Sequence, residues 1–307
     1  MSNPRAYLID SSIYVFRAWH VFDDAITDID GNPTNAVYGF SEFLYQLFEQ
    51  KQPAFVACAF DAHQSDSYRR EIYPEYKANR PPAPEELIAQ FRYCRAFCRA
   101  MGIAEFGSNR FEADDIIGTL ATRLRREGFD ITLVTADKDL TQLVLGERDA
   151  WWDFARGKVL NARGVEKQFG VQPSQIADML ALTGDKVDNI PGIPGIGYKM
   201  ASNLLKKYQN VDDIVENISD ISKMKFRGSA RIQDLLEEHQ GLLPTNKRLT
   251  EIVTDAVFDD HENAILWQGI PDEDVFHALF DQLNVSDQRR RRWLQLQSPI
   301  DGADCTI

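Results

Sequence analysis

Three short apolar runs along the chain each close on an aspartate: Ala6 to Ile9 with Asp10, Ala54 to Phe60 with Asp61, and Ile131 to Ala136 with Asp137. The runs are continuous rather than alternating, the pattern of strands buried on both faces of a parallel sheet. Stretches of helical period fall between them, at Tyr38 to Gln50, Glu85 to Met101 and Glu112 to Glu127, the last followed by Gly128 as a helix stop. Strand and helix in alternation predict an α/β domain with a parallel sheet flanked by helices. In such sheets ligands gather at the carboxyl ends of the strands, the edge where all three runs place an acid.

Beyond about residue 170 the pattern changes to short helical segments broken by glycine and proline. Pro173 to Thr183 and Tyr198 to Tyr208 read as helices, and the Gly/Pro-rich stretch from Asn189 to Gly197 reads as a tight turn between them. From about residue 250, short strand-like and helical pieces lead to the run Arg289 to Arg292 and Trp293. The expected division is an α/β domain over 1–170, a helical region over 171–250 and a C-terminal segment over 251–307 packing on the core.

Composition narrows the class. Of 307 residues, 44% are apolar and 26% charged, which suits a folded globular chain and argues against a disordered or fibrous one. No apolar run approaches the roughly 20 residues of a membrane span, and the first residues hold no apolar stretch of secretory length, so a cytoplasmic location without membrane attachment is expected. Cys58, Cys94, Cys98 and Cys305 are too few for a disulfide framework and read as reduced thiols. A net charge of −13 speaks against a polyanionic partner unless the acids are gathered where divalent cations reverse the local field.

They are gathered in that way. Beyond Asp10 and Asp61, the acids cluster as Glu112, Asp114 and Asp115 at a helix start, Asp137 and Asp139 after the third strand, and Asp185 and Asp188 one helical turn apart. Each cluster alone has an ordinary reading as a cap or a helix start. Nine carboxylates converging on one place would repel severely without counterions. Hard oxygen ligands suit two or more Mg²⁺ or Mn²⁺ ions, and the lack of a His/Cys partner set argues against zinc. Two such ions about 4 Å apart serve phosphodiester hydrolysis, so a metal-dependent nuclease or phosphatase is expected. Between Asp61 and Glu85, basic residues alternate with aromatics (Arg69, Arg70, Tyr73, Tyr76, Lys77, Arg80), as a single-stranded path requires. Gly192, Gly195 and Gly197 precede Lys199 and offer bare backbone N–H groups at a helix start, a geometry for phosphate. A charge run such as Arg289 to Arg292 is usually a solvated face.

The motifs Leu8-Ile-Asp10, Phe60-Asp61, Tyr76-Lys-Ala-Asn-Arg80-Pro-Pro, Glu112-Ala-Asp114-Asp115, Thr135-Ala-Asp137-Lys-Asp139 and Gly184-Asp185-Lys-Val-Asp188-Asn-Ile-Pro-Gly-Ile-Pro-Gly-Ile-Gly197 occur in this order. Together they resemble the 5′-nuclease superfamily, in particular the 5′→3′ exonuclease domain of bacterial DNA polymerase I and its standalone flap-endonuclease relatives. The resemblance implies a PIN-like parallel sheet, a helical arch at about 62–84 and a helix-three-turn-helix module. It implies that Asp10, Asp61, Glu112, Asp114, Asp115, Asp137, Asp139, Asp185 and Asp188 form the metal site. Lys77 and Arg80 would lie by the reacting phosphate, with Lys77 stabilising transition-state charge. Phe16 would stack on the terminal base pair, with Arg17, Arg69, Arg70 and Tyr76 as further DNA contacts. Gly192, Gly195, Gly197 and Lys199 would grip the duplex, with K⁺ in the loop. The implied partner is DNA bearing 5′ ends or 5′ flaps at single-strand/double-strand junctions, cut by a monomer to leave a 5′-phosphate, alongside replication or repair proteins. A ribonuclease acting on RNA or RNA–DNA hybrids and a non-catalytic structure-specific DNA-binding protein stand as alternatives.

Overall fold

A computed structural model describes residues 3–62, 67–258 and 265–296. Six strands form one sheet in the order β3-β2-β1-β4-β5-β6. They are β1 (Arg5–Asp10), β2 (Phe55–Asp61), β3 (Ala104–Ser108), β4 (Asp130–Val134), β5 (Ala150–Asp153) and β6 (Lys158–Leu160). The first five run parallel, and β6 folds back antiparallel along the β5 edge. β1 lies between β2 and β4, with Leu8 opposite Ala57 on one side and Leu133 on the other. Chain order reverses between β1 and β4, and such a switch point opens a crevice at the carboxyl ends of the strands.

Both faces of the sheet are buried, which explains why its central strands read as unbroken apolar runs. Ala6, Leu8 and Leu133 face α5 (Ala113–Arg126) and the second half of the chain. Ile9, Val56, Cys58, Phe60 and Val134 face α1 (Ser11–Val21), α2 (Asn35–Lys51) and α4 (Glu85–Ala100). A five-residue helix, α3 (Tyr68–Ile72), lies between β2 and α4. After the β5–β6 hairpin come α6 (Ala162–Phe169), α7 (Ile176–Thr183), α8 (Tyr198–Lys207), α9 (Val211–Glu216), α10 (Ser229–His239) and α11 (Leu243–Thr250). Their apolar faces join the α5-side core through Leu180, Leu182, Leu204, Ile214 and Leu236. Among the described residues, no helix is long and apolar enough to cross a membrane.

The tail turns back onto the opposite core. Trp267 is 2% exposed, its indole N–H donates to the Met101 carbonyl at 2.8 Å, and its ring meets Phe48 edge-on. Phe276 and Phe280 of α12 (Glu273–Gln282) and Trp293 of α13 (Asp287–Leu294) complete the layer over Phe97. The arginine run is therefore not an ordinary solvated face. Arg289 lies 3.7 Å over the Tyr38 ring and donates to Ser41 Oγ, Arg292 stacks 3.9 Å over Tyr45 and pairs with Glu42, and Arg290 pairs with Asp281. Stacking on aromatics while bonding to an acid suits guanidinium. Three of the four arginines thus hold α13 to α2 and α12.

Replacing Trp267 with alanine empties a closed site and is expected to cost about 3–5 kcal/mol. Urea unfolding followed by far-UV circular dichroism checks this, with Trp267→Phe retaining more of the stability.

Candidate active site

The acids at the strand ends are fixed by short local bonds. Asp10, 5% exposed, closes β1 and accepts from Thr135 Oγ1 at 2.8 Å. Asp61 closes β2; its backbone N–H donates to Ser12 Oγ at 2.9 Å, and its carboxylate accepts from the Ala113 N–H at 2.8 Å. That bond sets the first turn of α5 against β2 and brings Asp114 inward. After β4, the Asp137 N–H donates to Thr135 Oγ1, and Asp137 in turn accepts from the Asp139 N–H, both at 2.9 Å. The 184–197 loop supplies the remaining pair. Asp185 and Ile190 exchange backbone bonds at 3.0 and 2.8 Å, and the turn between them carries Asp188.

Burial and like charge both act on the acidity of these groups. Burial raises the Asp10 pKa, and Asp61 and Asp137 add to the shift, which takes it to about 7. Asp114 is held far above the usual carboxylate range by burial and by Asp137, Asp10 and Asp61. Asp137 is raised chiefly by burial. Asp139 reaches about 7 through burial and Asp137, with Lys138 offsetting only part of the rise. One Asp139 oxygen is buried without a hydrogen-bond partner. Such a set of buried, mutually repelling oxygens suits hard divalent cations. Among the described residues, no three His, Cys, Asp or Glu side chains as placed are arranged to hold a metal ion.

Cations of the same chain face part of the cluster. Lys77 Nζ lies 2.8 Å from Glu112 Oε2 and 3.9 Å from Asp188 Oδ2, while Arg80 pairs with Asp188. Lys138 Nζ donates to Asp185 Oδ2 at 2.7 Å. Burial alone would raise Glu112 and Asp185, but Lys77 with Arg69 brings the first below its ordinary range, and Lys138 does so for the second. Lys77 has a φ of 55°, in the left-handed region, because its N–H is tied to the Asp188 carbonyl and its own carbonyl accepts from Arg80. A non-glycine residue held there stores strain of about 1 kcal/mol or more. In the segment expected to form the arch, Tyr68–Ile72 is helical and the residues after it make successive turns. Its residues 63–66 lie outside the described part.

Several expected residues have other roles in the structure. Asp115 is fully buried; its oxygens accept from Arg69 at 2.6 and 2.8 Å, from the Val253 N–H and from the Glu112 N–H. These bonds tie Asp115 and Arg69 to each other, where the sequence led to the expectation of a metal ligand and a phosphate contact. Arg69 also donates to the carbonyls of Leu249 and Glu251, while Arg70 is exposed. Tyr76, expected among the DNA contacts, is 2% exposed, and its hydroxyl lies 3.0 Å from Glu112 and 3.1 Å from Asp188, bridging the two acids. At Gly192 a Cβ would lie 2.2 Å from the Thr183 carbonyl, so packing by itself requires glycine there. Gly195 has a φ of 81° and Gly197 caps α8; both are exposed, as is Lys199. Phe16 is 39% exposed on the open face of α1 beside exposed Arg17, with its ring edge against Phe91. Thr135, Ser12 and Lys138 were missed as site residues, although each lies within two residues of an acid in a motif.

Comparison with known proteins agrees with this architecture. The 5′-3′ exonuclease N-terminal resolvase-like domain matches residues 5–170, and the 5′-3′ exonuclease C-terminal SAM fold matches residues 171–273. A 5′-3′ exonuclease from Aquifex aeolicus is 39% identical over 211 residues, covering 69% of this chain and 72% of its own. DNA polymerase I from Bacillus caldotenax is 36% identical over 281 residues, 90% of this chain and 31% of the polymerase. The chain spans about a third or less of the length of the DNA polymerase I relatives it matches. In fold it is similar to T5 5′-exonuclease, solved with divalent metal ions (zinc) bound (TM-score 0.67, 20% identity, 91% of this chain and 99% of that one). It is also similar to the catalytic core of Rad2 in complex with DNA substrate (TM-score 0.63, 14% identity, 95% and 91%). The fold and its acid-lined sheet edge are those of a nuclease. The chain belongs to the 5′-3′ exonuclease family.

Two outcomes are expected. Arg69→Ala strands a buried carboxylate and costs about 3–5 kcal/mol in denaturant unfolding, whereas Arg70→Ala changes stability by less than about 0.5 kcal/mol. In EDTA near pH 8, Asp114→Asn melts above the unaltered chain, by about 2–4 °C per kcal/mol of repulsion removed, and it gains less from added Mn²⁺. Scanning calorimetry with and without the ion checks both signs.

Proposed function

We propose that this nuclease is a structure-specific 5′ nuclease that hydrolyses DNA phosphodiesters at 5′ ends and at single-strand/double-strand junctions, using Mg²⁺ or Mn²⁺ and leaving a 5′-phosphate. The observation that carries this reading is the convergence of acids from β1, β2, α5, the turn after β4 and the 185–188 loop on one sheet edge, beside Lys77 and Arg80. Asp10, Asp61, Asp114 and Asp137 would hold one divalent ion, and Asp137, Asp139, Asp185 and Asp188 a second. Bound there, the pair would supply Lewis-acid charge for attack on phosphorus and for the departing oxygen.

The chain's own residues do the rest. Glu112 and Asp188 aim Lys77 and Arg80 at the cluster, where their positive charge meets the charge that builds on a reacting phosphate. Phe16 offers an exposed aromatic face beyond Asp10 for the terminal base pair. The Gly195–Gly197 loop and the N-terminus of α8, with Lys199, suit a duplex phosphate, and loop carbonyls suit K⁺.

The deciding experiment is cleavage of a 5′-labelled DNA flap with Mg²⁺ and with EDTA, with an RNA flap of the same sequence alongside. Metal-dependent cutting within about a nucleotide of the junction is expected, and retained binding without cutting would defeat the reading. Lys77→Ala should lower the single-turnover rate about 10²–10³-fold with little change in duplex affinity. A fall in affinity alone would make Lys77 a binding residue only.

A further inference from the structure

The two halves of the acid cluster are neutralised differently. Among the described residues, no lysine or arginine forms an ion pair with Asp10, Asp61, Asp114 or Asp137. In the other half, Lys138 Nζ donates to Asp185 Oδ2 at 2.7 Å and lies 3.2 Å from Asp139 Oδ1, off the line of a hydrogen bond. One ammonium therefore faces two of the four carboxylates assigned above to the second divalent ion. The Lys138 backbone is fixed, since its carbonyl accepts from the Thr141 N–H and hydroxyl. Its side chain is 38% exposed and has a path to solvent.

We propose that Lys138 is a built-in competitor for the second divalent ion, so that the two metal positions load unequally and the second fills as Lys138 withdraws from Asp185. A lysine ammonium is compact, mobile and three-donor, and it exchanges one anion for another readily. A phosphodiester arriving at the cluster gives it such an anion, which links filling of the second position to the presence of DNA. This inference rests on the divalent reading of the site, and the experiment below separates the two.

Mn²⁺ binding to the full chain is titrated near neutral pH by the electron paramagnetic resonance signal of free Mn²⁺. The unaltered chain should show a tighter and a weaker class. Lys138→Met should tighten the weaker class about tenfold, the worth of one hydrogen bond to a charged group. Lys138→Gln should tighten it similarly, which guards against a folding defect peculiar to methionine, and Lys138→Arg should leave it near the unaltered value. Lys186→Met removes an equal charge from an exposed neighbour of Asp185 and should tighten it less than about threefold. Duplex DNA should tighten the weaker class in the unaltered chain more than in Lys138→Met. An unchanged or weakened class in both neutral variants overturns the inference, as does an equal effect from Lys186→Met. Absence of Mn²⁺ binding in every protein would instead overturn the divalent reading itself.

Discussion

Repulsion among buried carboxylates is the constraint on which the rest of this structure depends. Asp10 is buried and Asp114, Asp137 and Asp139 are half-buried at one sheet edge, and each is held above its ordinary range by burial and, in most cases, by its neighbours. A fold does not gather such groups for stability, because desolvated like charges oppose folding. The opposition is met by rigid local geometry and by cations placed around the cluster rather than in its centre. Arg69 fixes the inner wall through Asp115, Lys77 and Arg80 brace Glu112 and Asp188, and Lys138 faces Asp139 and Asp185.

The surrounding architecture follows from that requirement. A parallel sheet with a switch point brings separate strand ends to one crevice, and helix α5 enters there with its positive N-terminus. The Ala113 N–H bond to Asp61 locks that helix in register, so Asp114 turns inward while Asp115, one residue on, turns toward Arg69. Adjacent acids acquire different chemistry from helical phase alone.

Much of this was legible in the chain. The three runs ending in Asp10, Asp61 and Asp137 gave the central strands because burial on both faces leaves an unmistakable pattern, and the motif order pointed to the family. β3 was missed because Ala104-Glu105-Phe106-Gly107-Ser108 mixes polar and small residues, and the β5–β6 hairpin because strands of 4 and 3 residues carry little periodicity. The pairing of Asp115 with Arg69 was hidden for a different reason. Sequence shows a charge but not whether its partner lies 46 residues away, and a buried guanidinium reads like an exposed one. The same blindness hid the aromatic stacking of Arg289 and Arg292, since Tyr38 and Tyr45 belong to a distant helix.

The loop of Asp185 and Asp188 has a consequence for how this chain can be divided. The N-terminal and C-terminal family regions meet at residues 170 and 171, yet Lys138 reaches Asp185, Tyr76 and Arg80 reach Asp188, and Arg69 reaches the Leu249 carbonyl. The seam in sequence therefore runs through the acid cluster, and neither side carries all of its acids. What reads as two regions is joined by these bonds, and a graft that exchanged either side would have to preserve their register to keep the acids together.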